Sequence, residues 1–395
     1  NDKFKKMLNT GCIEPKPLLV CSGGTSSRCA SSGYWTLDLR ERFNNIYFNK
    51  STNVIQVGGG AKMSDILKKL SIHNRAIPSG LSANVGIGYI LTGGISPISR
   101  LHGLGVDHLV NIEGVWGNGK EFNISKPTTT SSEEIKNAWR GLCGAAPFLG
   151  IVTNIKLKTF DLNTFYYDMQ YITPNELKYI ILNSENWPNN ISLQWLWCET
   201  IQICIIVEGE VLPEYEDKYF KPIKTNFKQI KNLKDIPQFS NSLEIQKQNN
   251  RIHSEVISLL GPSIQSKSNE LLNSLKDINK LRPNQYCYVA SQQLGGFSSS
   301  RPVDSSSFIH RDSIWKPWIN ASWSSGDLRS KEKSLIWLSE AWKRLEQFHP
   351  AVHLAQNHPH LSFHQKELKA AFGEWLPGLQ NLKLKYDQHN VMPSL

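Results

Sequence analysis

Up to about Phe160 the apolar positions fall in short runs of two kinds. Residues 46–50 (IYFNK), 54–58 (VIQVG), 109–117 (LVNIEGVWG) and 151–160 (IVTNIKLKTF) are short and rich in β-branched residues, which predicts strands. Residues 61–70 (AKMSDILKKL) and 132–141 (SEEIKNAWRG) carry apolar residues at helical spacing. Thr128–Ser132 forms a cap region, and Glu133 and Glu134 favour the helix start behind it. Lys3–Leu8 predicts one more helix. This mixture is α+β.

From about Asp161 the pattern changes. Residues 164–173, 191–210, 285–295 and 313–323 are long runs of aromatic and β-branched residues, the mark of strands. Residues 254–278 and 334–348 have helical period. The natural assembly is a large antiparallel sheet backed by helices, with the polar tract 218–250 as an excursion at its edge.

Composition narrows the class. With 395 residues, 39% hydrophobic and 20% charged, the chain can bury a large core in two domains, or in one with a big insertion. No apolar run reaches the length of a bilayer span. The sequence starts at Asn1 with no signal-peptide pattern, and is expected to lack its first strand. Seven scattered cysteines include no metal-binding spacing and no disulfide framework, so no metal is expected and a reducing cytoplasm is. The net charge of +10 is dispersed apart from Lys218–Lys234, which argues against nucleic acid and suits an anionic ligand.

Glycine distribution identifies the candidate site. Gly58, Gly59 and Gly60 follow a strand, and Gly80, Gly86, Gly88, Gly93 and Gly94 come one helix later among buried-type apolar residues. Such density lets backbone N–H groups approach a large ligand, most naturally a phosphate-bearing cofactor. Neither G-x-G-x-x-G nor a P-loop is present. Ser22-Gly23-Gly24-Thr25-Ser26-Ser27, at the end of a strand, suits a pyrophosphate, with Arg28 adding charge.

Taken together, these motifs resemble the FAD-linked oxidases of the vanillyl-alcohol oxidase and p-cresol methylhydroxylase type, in the berberine-bridge-enzyme-like branch. The counterparts are Leu18–Ser27, Trp35–Leu39, Gly58–Ala61, Val85–Gly88, Thr92–Gly94 and Leu104–Val110, then Gly150–Thr153, Leu294–Gly296, Phe308–Asp312 and Leu384–Met392. The resemblance implies a two-subdomain FAD-binding domain of the p-cresol methylhydroxylase type over 1–160. A substrate domain over 161–365 would be inserted in its sequence, with 366–395 returning to the FAD domain.

It further implies a cofactor site of Ser22, Gly23, Gly24, Thr25, Ser26, Ser82, Asn84, Val85, Gly86, Gly88, Gly93, Gly94, Gly150, Ile151, Val152 and Asn390. Thr25 and Ser82 stand where the branch tethers its flavin through histidine and cysteine, so the FAD is expected to be non-covalent. Trp197, Gln292 and Asn320 are expected to contact substrate, and Glu199 to take part in catalysis. The strand 351–360 lacks the family's Y-x-N tyrosine and leaves His353, Gln356 and Asn357 as its polar residues. His353 is then the candidate base. His310 and Arg311 suit a structural ion pair at least as well as catalysis. The expected function is an FAD-dependent oxidoreductase passing hydride from a small hydroxyl-bearing substrate to flavin, with oxygen or another acceptor closing the cycle. A non-catalytic flavoprotein on the same fold is the alternative.

Overall fold

The computed structural model describes residues 17–26, 29–31, 34–237, 239 and 252–395. The expected helix at residues 3–8, Ser27 and the charge of Arg28 lie outside the described residues.

Strands β1 (Leu19–Cys21) and β2 (Thr36–Asp38) form a small parallel pair. β3 (Ile46–Asn49), β4 (Val54–Gly58), β6 (Leu109–Trp116), β7 (Glu121–Ser125) and β8 (Gly150–Lys158) make a five-stranded antiparallel sheet in the order β3-β4-β8-β6-β7. Short β5 (Arg75–Ala76) pairs with β9 (Phe160–Asp161). The helix Met63–Ser71 buries Met63, Ile66, Leu67 and Leu70, the i, i+3, i+4, i+7 stripe that its sequence carries. The helix Glu133–Ala145 begins where Ser132 accepts a hydrogen bond from the Ile135 N–H.

The second half is one eight-stranded antiparallel sheet, β13-β10-β12-β11-β15-β16-β14-β17. Its strands are β10 (Phe165–Ile172), β11 (Ile191–Trp197), β12 (Ile201–Glu208), β13 (Lys228–Ile230), β14 (Ile252–Leu260), β15 (Tyr288–Gln293), β16 (Trp315–Ser324) and β17 (Ala351–His353). The helices Pro174–Ser184, Ser268–Lys280 and Leu328–Leu345 pack against the sheet and one another. β11 and β12 are buried along their whole length, which explains their continuous apolar character. The two last helices, His364–Phe372 and Leu376–Tyr386, return to the first half, where the Tyr386 ring stacks on Trp116.

Two expectations change. Residues 254–260, expected to be helical, are the greater part of β14, held between β16 and β17. Their apolar run satisfies either period over so few residues, and strand pairing decides between them. The strand expected over 351–360 ends at His353; the chain then leaves the sheet.

Buried polar groups join the halves. Arg311 forms a two-pronged pair with Asp107 (2.9 Å for each prong), and both side chains are buried. His310 Nε2 lies 2.7 Å from the Ala370 carbonyl. Arg100 donates to the carbonyls of Trp187, Ile191 and Leu294, and its burial lowers the guanidinium to about 10. The His310-Arg311 segment is therefore a structural clamp.

Candidate functional site

The loops between these strands meet around a cavity of about 530 Å³. Ser22, Gly23, Gly24, Thr25 and Ser26 line it from the loop after β1, Gly59 from the turn after β4, and Gly150 and Val152 from β8. Val85 to Tyr89, Leu91 and Thr92 form another wall, and Leu354 to Asn357, Pro359 and His360 a further one.

Local chemistry stitches these walls together. The Ser22 hydroxyl donates to the Gly59 carbonyl (2.7 Å) and accepts from the Gly88 N–H (3.3 Å). The Gly59 N–H donates to the Thr153 carbonyl (2.8 Å). Gly23 and Gly86 touch so closely that a Cβ on either would collide with the other's backbone. Gly24 has φ 72°, a left-handed geometry that only glycine adopts freely. Cys21 lies beneath this loop, and burial, helped by the neighbouring Cys29 thiol, pushes its own thiol up to about 11.

Other expected residues lie outside the cavity wall. Ser82 accepts the Asn84 N–H (3.2 Å) in the loop leading to Val85. Gly93 (φ 134°) brings the backbone against Phe308 and His353, where a Cβ would lie 3.0 Å and 3.3 Å from them. Gly94 passes close to Gly105. Ile151 pairs with Val115 inside its sheet. Asn390 is exposed in a turn at φ 50°.

The expected substrate and catalytic residues are divided between places. Gln194, Gln292 and Lys316 stand in register across β11, β15 and β16, hence on one face. Trp197, three residues beyond Gln194, points to the opposite face. Asn320 shares the face of Lys316 and donates to the Tyr286 carbonyl (3.0 Å) and to Ser322 (2.7 Å). Glu199 is in the exposed β11–β12 turn, 3.7 Å from Arg282. His353 is buried behind the wall, with Nε2 2.8 Å from the Thr92 carbonyl. Burial, reinforced by nearby Lys316, pulls its pKa down to about 3, so the ring is neutral and Nε2–H is the donor.

Tyr89, His360 and Lys316 escaped the sequence reading. A single lysine within the aromatic run WKPWINASW was the available signal for the last. His360 and Asn357 lie on the irregular segment after β17, which carries no motif. Asn357 Oδ1 is a buried oxygen without a hydrogen-bond partner, and the 22–26 loop of the same cavity presents glycine backbone and hydroxyls. Such a set suits a ligand that combines phosphate with a polar ring edge, as FAD does.

Comparison with known proteins bears on the fold and on its first part. Residues 3–125 match the FAD binding domain family. Over nearly the whole chain the fold is that of the berberine-bridge-enzyme-like FAD-linked oxidases. Chitooligosaccharide oxidase superposes with TM-score 0.79 at 16% identity, covering 95% of this chain and 85% of that one. Berberine bridge enzyme from Eschscholzia californica gives 0.76 at 15%, covering 96% and 84%. Among curated relatives, the FAD-dependent monooxygenase FUP4 of Fusarium proliferatum is 32% identical over 39% of this chain and 28% of its own length. The FAD-linked oxidoreductase pgmH of Aspergillus terreus is 29% identical over 44% of this chain and 34% of its own. These alignments span about a third of those relatives or less. The FAD-linked oxidoreductase YgaK of Bacillus subtilis aligns over 90% of this chain and 79% of its own at 22% identity.

Proposed function

We propose that the protein is an FAD-dependent oxidoreductase acting on a small molecule, with its flavin held non-covalently. The observation that carries this is the cavity itself. Its hydroxyl- and glycine-lined loops from 22–26 and 85–88 belong to the part of the chain that matches an FAD-binding domain.

Ser22, Gly23, Gly24, Thr25 and Ser26 would hold the pyrophosphate through N–H groups and hydroxyls. Gly86, Gly88, Gly150 and Val152 would lie along the cofactor, and Asn357 would offer its buried oxygen to an N–H of the ring. When bound, the flavin supplies the acceptor for a hydride leaving a substrate C–H bond, and oxygen or another acceptor restores it. Thr25 lines the cavity in the place of the branch's tethering histidine, and its hydroxyl cannot make that link. Taking the hydroxyl proton falls to a group on the wall. His360 is such a group, with Nε2 3.3 Å from the buried carboxylate of Glu255, which orients the ring. His353, neutral and committed to Thr92, does not face the cavity.

The experiment is reconstitution with FAD followed by acid precipitation. All flavin should appear in the supernatant over a colourless pellet. A fluorescent band that stays on the chain in a denaturing gel would sink the non-covalent reading and direct attention to Cys29 or His360, both on the wall. Anaerobic mixing of the holoprotein with aromatic alcohols and oligosaccharides should bleach the flavin with at least one of them. Failure to take up FAD at all would overturn the proposal.

A further inference from the structure

The face of the large sheet that carries Lys316 meets the cavity wall from behind. Lys316 Nζ lies 6.0 Å from the centre of the Tyr89 ring, and His353 reaches the Thr92 carbonyl. Tyr89 and Thr92 both line the cavity. The register sets Gln194, Gln292 and Lys316 in one row. His353, Ser258 and Trp318 form a second row on the same face.

These side chains do not satisfy one another. Lys316 has one long contact, 3.5 Å to Gln292 Oε1. Gln292 Nε2, Gln194 Oε1 and His353 Nδ1 are buried without a hydrogen-bond partner. Burial alone brings the Lys316 ammonium down to about 7, and no carboxylate among the described residues offsets it. A buried cation beside an unused amide donor is costly to leave so, and an anion with two acceptor oxygens relieves both. The surroundings are aromatic: the Trp318 ring centre is 4.9 Å from Nζ, and Tyr89 flanks the other side.

We propose that this patch is the subsite for the carboxylate of an aromatic acid, with Lys316 supplying the charge and the Gln292 amide a second hydrogen bond. The inference rests on the oxidoreductase reading only in taking the Tyr89 wall as the substrate side of the cavity. His353 and Trp318 shape the patch, and Tyr89 separates it from the flavin cradle.

Benzoate is the probe, with benzyl alcohol as its neutral counterpart, titrated calorimetrically into the FAD-reconstituted protein. Benzoate should bind near pH 6 and weaken by up to about tenfold per pH unit above neutrality, as the free amine loses its proton. Benzyl alcohol should show no such trend. Lys316→Met should lose benzoate affinity by roughly tenfold or more and abolish the pH trend, with flavin content unchanged. If that variant fails to fold, Gln292→Leu serves, and should weaken benzoate several-fold. No benzoate binding by the wild type overturns the subsite, as does equal binding by whichever folded variant is tested. The two readings fail separately. A protein that binds benzoate yet takes up no FAD keeps the subsite and loses the oxidoreductase, whereas a yellow protein indifferent to benzoate does the reverse.

Discussion

The flavin cradle and the Lys316 face are neighbours across Tyr89, yet they are built by opposite means. The cradle is mostly backbone: glycines at 23, 24, 59, 86 and 88 let separate loops touch, and few side chains other than Ser22 take part in joining them. The sheet face is all side chain, and its polar row exists because β11, β15 and β16 pair in one register. A backbone site tolerates little added volume, whereas a side-chain site tolerates substitution and changes its ligand. The fold thus couples a rigid cofactor wall to an adjustable opposite face.

The contrast breaks most sharply at Gly86. Gly86→Val should abolish FAD retention through gel filtration, because its Cβ would enter the Gly23 backbone and the Ser22 hydroxyl. Lys316→Met should leave retention intact, and equal loss in both variants would erase the distinction between the two regions.

Next in size is the clamp that holds the two regions in place. Arg311→Leu leaves Asp107 buried without its partner, and should cost about 3–5 kcal/mol in urea unfolding. A loss below about 1 kcal/mol would mean that Asp107 finds water or another donor.

A smaller effect comes from pH. His349 and His353 are buried and pulled down to about 3, by burial in both cases. Their unfolded values are near 6.5, so the unfolded chain binds more protons between about pH 6.5 and 3. Stability is full above that window and falls as the pH drops through it, by up to about 1.4 kcal/mol per unit for each ring. His353→Gln should flatten the acid limb of the melting temperature against pH, and an unchanged slope would deny His353 its neutral, buried role.

Glu199 marks the low end. Exposed and 3.7 Å from Arg282, it should tolerate Glu199→Gln within about 0.5 kcal/mol and without change in flavin reduction.

Much of this was legible in the residues. The glycine loops of the cavity, β3, β4, β6, β8, β10, β11, β12, β15 and β16, and the helices Ser268–Lys280 and Leu328–Leu345 follow from glycine spacing and apolar period, whereas β7, β13 and the helix Pro174–Ser184 were not anticipated. The parts that were not legible share a cause. Residues 254–260 satisfy both helical and strand periods, and only pairing with β16 and β17 resolves them. His360 and Asn357 sit on a segment with no period, and enter the wall because β17 stops at His353. Trp197 and Gln292 share composition and strand character, and the parity of their register separates them.

By itself, the sequence determined where the backbone can come close to a ligand, because that depends on the absence of side chains at particular positions and is local. Tertiary structure alone decided which polar groups share a space. Lys316 becomes a buried cation only when Gln292, Trp318 and Tyr89 surround it, and Tyr89 comes from 227 positions away in the other half. Burial is a property of the assembled layers, so the electrostatics that follow from it belong to the fold and to no single segment of the chain.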